Sequence, residues 1–510
     1  MLMDLETAAA RGRCALYAPA IWRRPAISLL LIVLCGSAEG GSPWLEPGDV
    51  GLRQDIALLT DEDLISVPMT FWPMSWPQVA REVARVDPAR VTRDDVQAAL
   101  RRVRARAARE GRTGWTSEAR IAAAGHPTPL RTFAETPREE GEIGGALSWL
   151  GDRFAVRLEG TAVADPDDDK TFRPDGSYLG LTLGNWMLSA GYLQRWWGPG
   201  WEGSNILGNN ARPVPTLAID RKYSDPFETK WLSWLGPWSL NAFYGILEND
   251  REDIDRPHFL GLRITVKPFD ALEIGLMRTA QWCGEGRNCD WETFENLITG
   301  NDNPGETVDP EFEPGNQMAG YDVRWASPFG TGPWAIYYHD IGEDESGRRP
   351  IFRLTQFGVE TWGQTGSGLA WRAHAERAST NPDCAEGSTG CAYRGGPHNV
   401  EGYSYYGRSL GHAMFYNGEM ISGGLALTTP AGDRISGIVR WIDLNQRESG
   451  RFHTVVDQNE ERWNLELAYE TERVIGTLRV GVGADRGERA DGSTYLAGRG
   501  FLELEHRFGR

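Results

Sequence analysis

The chain has 510 residues, 53 basic against 71 acidic side chains, 61 glycines and 21 tryptophans, and only 40% of it is apolar. A net charge of −18 excludes a nucleic-acid-binding face, which needs excess positive charge. The four lysines (Lys170, Lys222, Lys230, Lys267) never follow a glycine and no histidine precedes a glutamate, so P-loop and HExxH chemistry are excluded too.

At the N-terminus, Arg23-Arg24 precede an apolar run from Pro25 to Leu34, and Gly36-Ser37-Ala38 offers small residues for cleavage. This is the layout of a secretory signal, assigned to residues 1–38. No later run approaches the ~18 apolar residues of a transmembrane helix.

Residues 39 to about 112 read as helical. Val96, Leu100, Val103 and Ala107 fall on one helix face. Thr92 is placed to cap that helix, with Asp94 and Asp95 in the first turn. The five arginines between Arg101 and Arg109 are expected to form a solvated face. A second helix is expected to follow Trp76-Pro77.

From about residue 143 the period changes to two. Phe154, Val156 and Leu158 alternate with Arg157 and Glu159. Leu260, Leu262, Ile264 and Val266 alternate with Arg263, Thr265 and Lys267. Trp371 and Ala373 alternate with Arg372, His374 and Glu376, and Trp463, Leu465, Leu467 and Tyr469 with Asn464 and Glu466. The connections alternate as well. Short ones (Gly184-Asn185, Gly236-Pro237, 268–270, 328–333, 363–368, 430–433, 471–473) take turns with long ones (164–175, 197–229, 248–257, 282–317, 343–350, 379–400, 445–461). That asymmetry is the signature of a transmembrane antiparallel β-barrel, with tight periplasmic turns and long extracellular loops. Trp186, Trp231, Trp234, Trp238, Trp325, Trp334 and Trp362 stand near strand ends, where interfacial girdles lie. The alternating end of the chain, Leu502, Leu504, His506 and Phe508, suits a closing strand. The expected architecture is mainly β: a barrel of sixteen or eighteen strands over 143–510, the count turning on 401–419, where no strand can be placed, preceded by a helical segment and linker over 39–142.

Four cysteines follow the leader. Cys283 and Cys289, and Cys384 and Cys391, are separated by five and six residues and set in polar loops. Neither spacing is a zinc spacing, and two small disulfide loops in an oxidising compartment are expected. No metal or cofactor is implied. The Asp165–Asp169 run has Lys170 where a calcium loop needs glycine, so it reads as a solvated loop, as do the acidic stretches near 248–255 and 301–313.

Several stretches together resemble the Wzi-type capsule assembly family. They are Arg195-Trp196-Trp197-Gly198-Pro199-Gly200, Asn209-Asn210-Ala211-Arg212-Pro213-Val214-Pro215, Leu235-Gly236-Pro237-Trp238, Arg256-Pro257 before Gly261-Leu262-Arg263, and Tyr406-Gly407-Arg408-Ser409-Leu410-Gly411-His412. Upstream, Gly51-Leu52-Arg53-Gln54-Asp55-Ile56 and Thr70-Phe71-Trp72-Pro73 join them. The likeness covers about 45–508. It implies an eighteen-stranded outer-membrane barrel of a Gram-negative cell, helices plugging the periplasmic end, and a non-enzymatic lectin that holds capsular or extracellular polysaccharide at the surface. Outer-membrane lipid is the other implied partner.

Within the long 197–229 loop, Trp196, Trp197 and Trp201 offer flat faces for sugar rings. Asn205, Asn209, Asn210 and Arg212 offer hydrogen bonds to hydroxyls or carboxylates. The alternative is that this loop packs into the barrel. Gly407-Arg408-Ser409-Leu410-Gly411 matches a nucleophile-elbow pattern, which needs a strand–turn–helix context and reads here as a bend. A solute channel is the competing function. The inward charges Arg157, Glu159, Arg263, Arg372 and Glu376 are expected to fill the lumen as ion pairs.

Overall fold

Period-two alternation needs a sheet with one apolar and one polar face, and a barrel supplies both. The computed structural model describes residues 41–299, 315–343, 345–346, 349–350, 352–384, 391–393, 401–447 and 453–508. The leader and the 301–313 stretch lie outside the described residues.

Three helices come first: α1 (Val50–Asp61), α2 (Trp76–Arg85) and α3 (Asp94–Glu110). Asp49 caps α1 by accepting from the Leu52 N–H at 2.8 Å. Ser75 caps α2, with Pro77 in its first turn. The α3 face of Val96, Leu100, Val103 and Ala107 is buried as expected. Its cap position is held by Arg93, not Thr92, and no side chain caps it; Arg93 instead pairs with Asp95. The arginine run is not a solvated face either. Arg102 pairs with Asp55, Arg104 donates to the Val83 and Val86 carbonyls, and Arg109 reaches Glu472; Arg101 is exposed. These long side chains bind the helices to each other and to the barrel.

Eighteen antiparallel strands close the barrel among the described residues. They are β1 (Gly114–Gly125), β2 (Gly141–Leu150), β3 (Phe154–Ala164), β4 (Tyr178–Leu183), β5 (Trp186–Gly191), β6 (Thr216–Arg221), β7 (Trp238–Ile246), β8 (His258–Phe269) and β9 (Leu272–Trp282). A fourth helix, α4 (Trp291–Thr299), precedes β10 (Gln317–Ala326), β11 (Trp334–Glu343), β12 (Arg353–Gln364), β13 (Ala370–Ser379), β14 (Glu419–Thr428), β15 (Arg434–Leu444), β16 (Glu460–Arg473), β17 (Gly476–Arg489) and β18 (Thr494–Phe508). β18 closes on β1, with Leu504 opposite Ile121 and Phe508 opposite Ser117.

Two boundaries differ from expectation. The barrel begins at Gly114, one hairpin before 143, because the alanine-rich β1 follows an alanine- and arginine-rich helix and hides its period. The 197–229 segment is not one loop. β6 divides it, leaving 192–215 at the long-loop end and 222–237 at the opposite end. The 401–418 stretch contributes no barrel strand, only a two-residue ladder, Ser404–Tyr405 with Arg408–Ser409, and β14 begins at Glu419.

Outward side chains such as Leu158, Leu217, Leu276, Leu465, Leu467 and Leu502 are exposed and form the apolar belt. Trp231 and Trp234 are exposed at the short-turn end. Trp362 is not a girdle residue: it turns inward, buried beneath the Arg372 guanidinium at 4.7 Å.

Among the described residues four buried apolar clusters form, and the two largest occupy much of the lumen. One gathers the helices (Ile56, Leu59, Val79, Val83, Leu100, Val103) around Trp72, Phe133 and Trp196. The other lies beneath the long loops and contains Trp197, Phe243, Phe259, Tyr393, Tyr403 and Phe415. Four of the five expected inward charges are paired: Arg157 with Glu118 and Glu159, Arg263 with Asp322, and Arg372 with Glu360; Glu376 instead accepts from the Trp201 N–H, the Tyr337 hydroxyl and the Gln356 amide. Both expected disulfides, Cys283–Cys289 and Cys384–Cys391, are formed in long loops.

Candidate functional site

The 192–215 segment folds into the lumen. Trp196 and Trp197 pair as a two-residue ladder with Trp72 and Phe71, and both indoles are fully enclosed. Trp201 has the Arg53 guanidinium 4.0 Å from its ring and donates through Nε1 to Glu360 at 3.1 Å. Burial lowers the Arg53 guanidinium to about 10, against the pull of Glu360 and Glu376. Asn205 is enclosed, and its backbone carbonyl accepts from the Tyr393 hydroxyl at 2.7 Å. Asn209 donates to the Phe133 carbonyl and Asn210 to the Ser409 carbonyl. Arg212 forks onto Asp175 and reaches Asp168 at 2.7 Å. All seven expected sugar contacts are buried. They hold the plug, and Arg212 alone reaches the edge of a surface cleft.

Neighbouring Glu202 shows how tightly this segment is bound. Burial disfavours its charge, but Arg440 and His374 outweigh that and hold its carboxyl down to about 2. Ser409 and His412 do not form a nucleophile and base. Ser409 is enclosed and its Oγ accepts from the Gly411 N–H at 3.2 Å. His412 Nδ1 accepts from the Met414 N–H, and burial pushes the ring down to about 4.

The open feature at the long-loop end is a cleft of about 360 Å³ between the 165–177, 247–257 and 401–407 segments and Thr454 of the loop after β15. Asp169, Lys170, Asn249, Asp250, Glu401 and Tyr406 line it. Arg251 builds its floor. Its buried guanidinium donates to the Gly402 and Ser404 carbonyls at 2.9 and 3.0 Å and pairs with Glu248 and Asp253. Glu248 accepts from the Tyr406 N–H at 2.9 Å and so holds Tyr406 at φ +48°, in the left-handed region. Burial pushes the Glu248 carboxyl up. The Tyr406 ring, half-buried, has Arg212 at 5.2 Å and Lys170 at 5.6 Å. Asp168 is half-buried, which disfavours its charge, yet Arg173 and Arg212 keep its carboxyl below its usual range. One aromatic ring ringed by acceptors and one ammonium can receive a polyhydroxyl chain: hydroxyls donate to carboxylates, and a sugar C–H face covers the ring.

These residues escaped sequence reasoning because the Asp165–Asp169 and 248–255 stretches read as solvated loops. They are far apart in the chain and meet only because their loops fold inward over the mouth. The available signal was Tyr406-Gly407 in a stretch where no strand could be placed.

A closed barrel with an apolar belt, a lumen occupied by helices and ion pairs, and a loop-built cap is an outer-membrane β-barrel. The chain belongs to the capsule assembly protein Wzi family, which it matches over residues 114–487. An uncharacterized 55.8 kDa protein in the cps region of Klebsiella pneumoniae is 30% identical over 450 residues, 87% of this chain and 85% of that protein. Wzi of Escherichia coli, described as an outer membrane protein involved in group 1 capsule assembly and a carbohydrate-binding β-barrel, superposes with a TM-score of 0.76 at 24% identity, covering 90% of this chain and 99% of that one.

Proposed function

We propose that this protein binds capsular or extracellular polysaccharide at the cell surface and assists capsule assembly without catalysing a reaction. The long loops lie outside the cell, and α1–α3 plug the barrel at its periplasmic end. The cleft around Tyr406 is the contact with the polymer. The observation that carries this reading is the convergence of four long loops on one acceptor-rich cleft above a lumen occupied by buried apolar clusters. Family membership and the fold of the carbohydrate-binding relative support it. Each sugar contact is weak, and a repeating polymer spanning many barrels gains strength by multivalency. The carboxylates of Asp169, Asp250 and Glu401 favour hydroxyl-rich, sparsely anionic stretches of glycan over densely anionic ones.

Deletion of the gene followed by imaging of surface polysaccharide tests this. Loss of cell-attached capsule, restored by the wild-type protein but not by Tyr406→Ala, is expected. Normal attached capsule in the deletion strain would overturn it.

A further inference from the structure

α4 lies outside the barrel. Along β9, Met277, Thr279 and Gln281 turn inward and are buried, whereas Leu276, Arg278 and Trp282 turn to the outer face. The helix docks on that outer face. Arg278 donates to the Leu297 carbonyl at 2.5 Å and to the Ile298 carbonyl at 3.3 Å. Trp282 donates to Thr293 Oγ1 at 3.4 Å, and its ring meets Phe294 at 5.1 Å. The Cys283–Cys289 disulfide closes the turn that reverses the chain, and Asp290 accepts from the Thr293 N–H to start the helix.

The height of this contact is informative. From Leu272 at the short turn to Trp282 is ten residue steps. At ~3.4 Å per residue and a ~40° tilt this is roughly 26 Å, about the ~25 Å height of an apolar belt. By the same measure Arg278 stands at roughly 16 Å, so α4 lies against the upper part of the belt, between Arg278 and Trp282. Arg278, a cation on the lipid-facing wall, is met there by the carbonyls of the helix C-terminus, the negative end of its dipole.

The helix is amphipathic in a particular way. Leu297, Phe294, Ile298 and Trp291 form one continuous apolar arc, and Glu292, Glu295 and Asn296 lie on the other. The barrel covers only the inner half of that arc. Trp291 is 74% and Ile298 59% exposed. Both sit seven residues apart on one face, and Leu276 and Leu262, exposed belt residues, flank Arg278 on β9 and opposite it on β8.

We propose that α4 is an interfacial helix seated on the membrane leaflet at the long-loop end, with Trp291 and Ile298 in contact with lipid. The indole sits at headgroup level and the isoleucine reaches the acyl boundary. The helix fixes the height and rotation of the barrel in the bilayer, and with them the presentation of the loops.

The test is depth-dependent quenching. Ile298→Cys, Leu276→Cys and Asp250→Cys proteins, with native cysteines oxidised, are labelled with bimane and folded into vesicles of phosphatidylcholine with brominated acyl chains. Heat-modifiable gel migration verifies that each barrel is folded. The Ile298 label is expected to show a bromolipid-to-iodide quenching ratio at least about five times that of the Asp250 label, approaching Leu276. Parity with Asp250, while Leu276 is quenched by bromolipid, would overturn the proposal. Failure of Leu276 itself would instead overturn the membrane placement of the belt.

Discussion

Asp61, the last residue of α1, accepts from Arg372 of β13 at 2.8 Å, 311 residues further along the chain. Asp61 also takes Arg324 of β10 at 2.8 Å, and both arginines share Glu360 on β12 between them. This buried group fastens the plug to the wall.

Asp61→Ala removes the only member that belongs to the helices in this group. Arg324 and Arg372 are then left with one carboxylate for two buried charges. Breaking such a pair costs about 3–5 kcal/mol. The expected outcome is protease cleavage within 41–113 while the barrel keeps its heat-modifiable migration. Resistance equal to wild type would show that apolar packing alone holds the plug.

Arg251→Ala should open the cleft. It removes five partners at once, Glu401 among them, and leaves Glu248 buried with its charge disfavoured. Faster proteolysis at 247–257 and a roughly tenfold fall in polysaccharide retention are expected, with unfolding of the barrel itself little changed. Arg251→Lys should recover part of the loss, since an ammonium satisfies fewer of the same acceptors.

Acid should loosen the inserted 192–215 and 401–418 segments, and the sign follows from two groups. His412 is lowered to about 4 by burial, so between 6.5 and 4 the unfolded chain takes up a proton that the folded one refuses. Stability is therefore lost as pH falls through that window, by about 3 kcal/mol in full. Glu202, held down to about 2 by Arg440 and His374 against its burial, contributes stability above 4.5 that is lost toward 2. Urea midpoints at pH 7 and pH 4.5 check this: His412→Gln should flatten the decline at the higher pH values. An unchanged slope would contradict the assignment.

The barrel was legible because its two signals are local. Leu262 against Arg263, and Gly184-Asn185 against the long loops, can be read without knowing any partner. β1 and β6 were lost for opposite reasons: β1 is too rich in alanine to show its alternation, and β6 is six residues inside a segment dense with aromatics. The cleft was not legible, since its residues come from loops spread along the chain. Trp196 and Trp197 misled because an aromatic pair in a long loop suits a sugar platform and a lumenal ladder equally well. Only their pairing with Trp72 and Phe71 distinguishes the two.

The most direct test of the central claim is equilibrium binding of the purified, folded barrel to immobilised surface polysaccharide from its own host. Tyr406→Ala and Asp250→Asn should each bind at least about tenfold more weakly than wild type, because a repeating polymer multiplies the loss at each site. Trp231→Ala, exposed at the opposite end of the barrel, should bind as wild type does. Undiminished binding by Tyr406→Ala, or an equal loss for Trp231→Ala, would contradict the account.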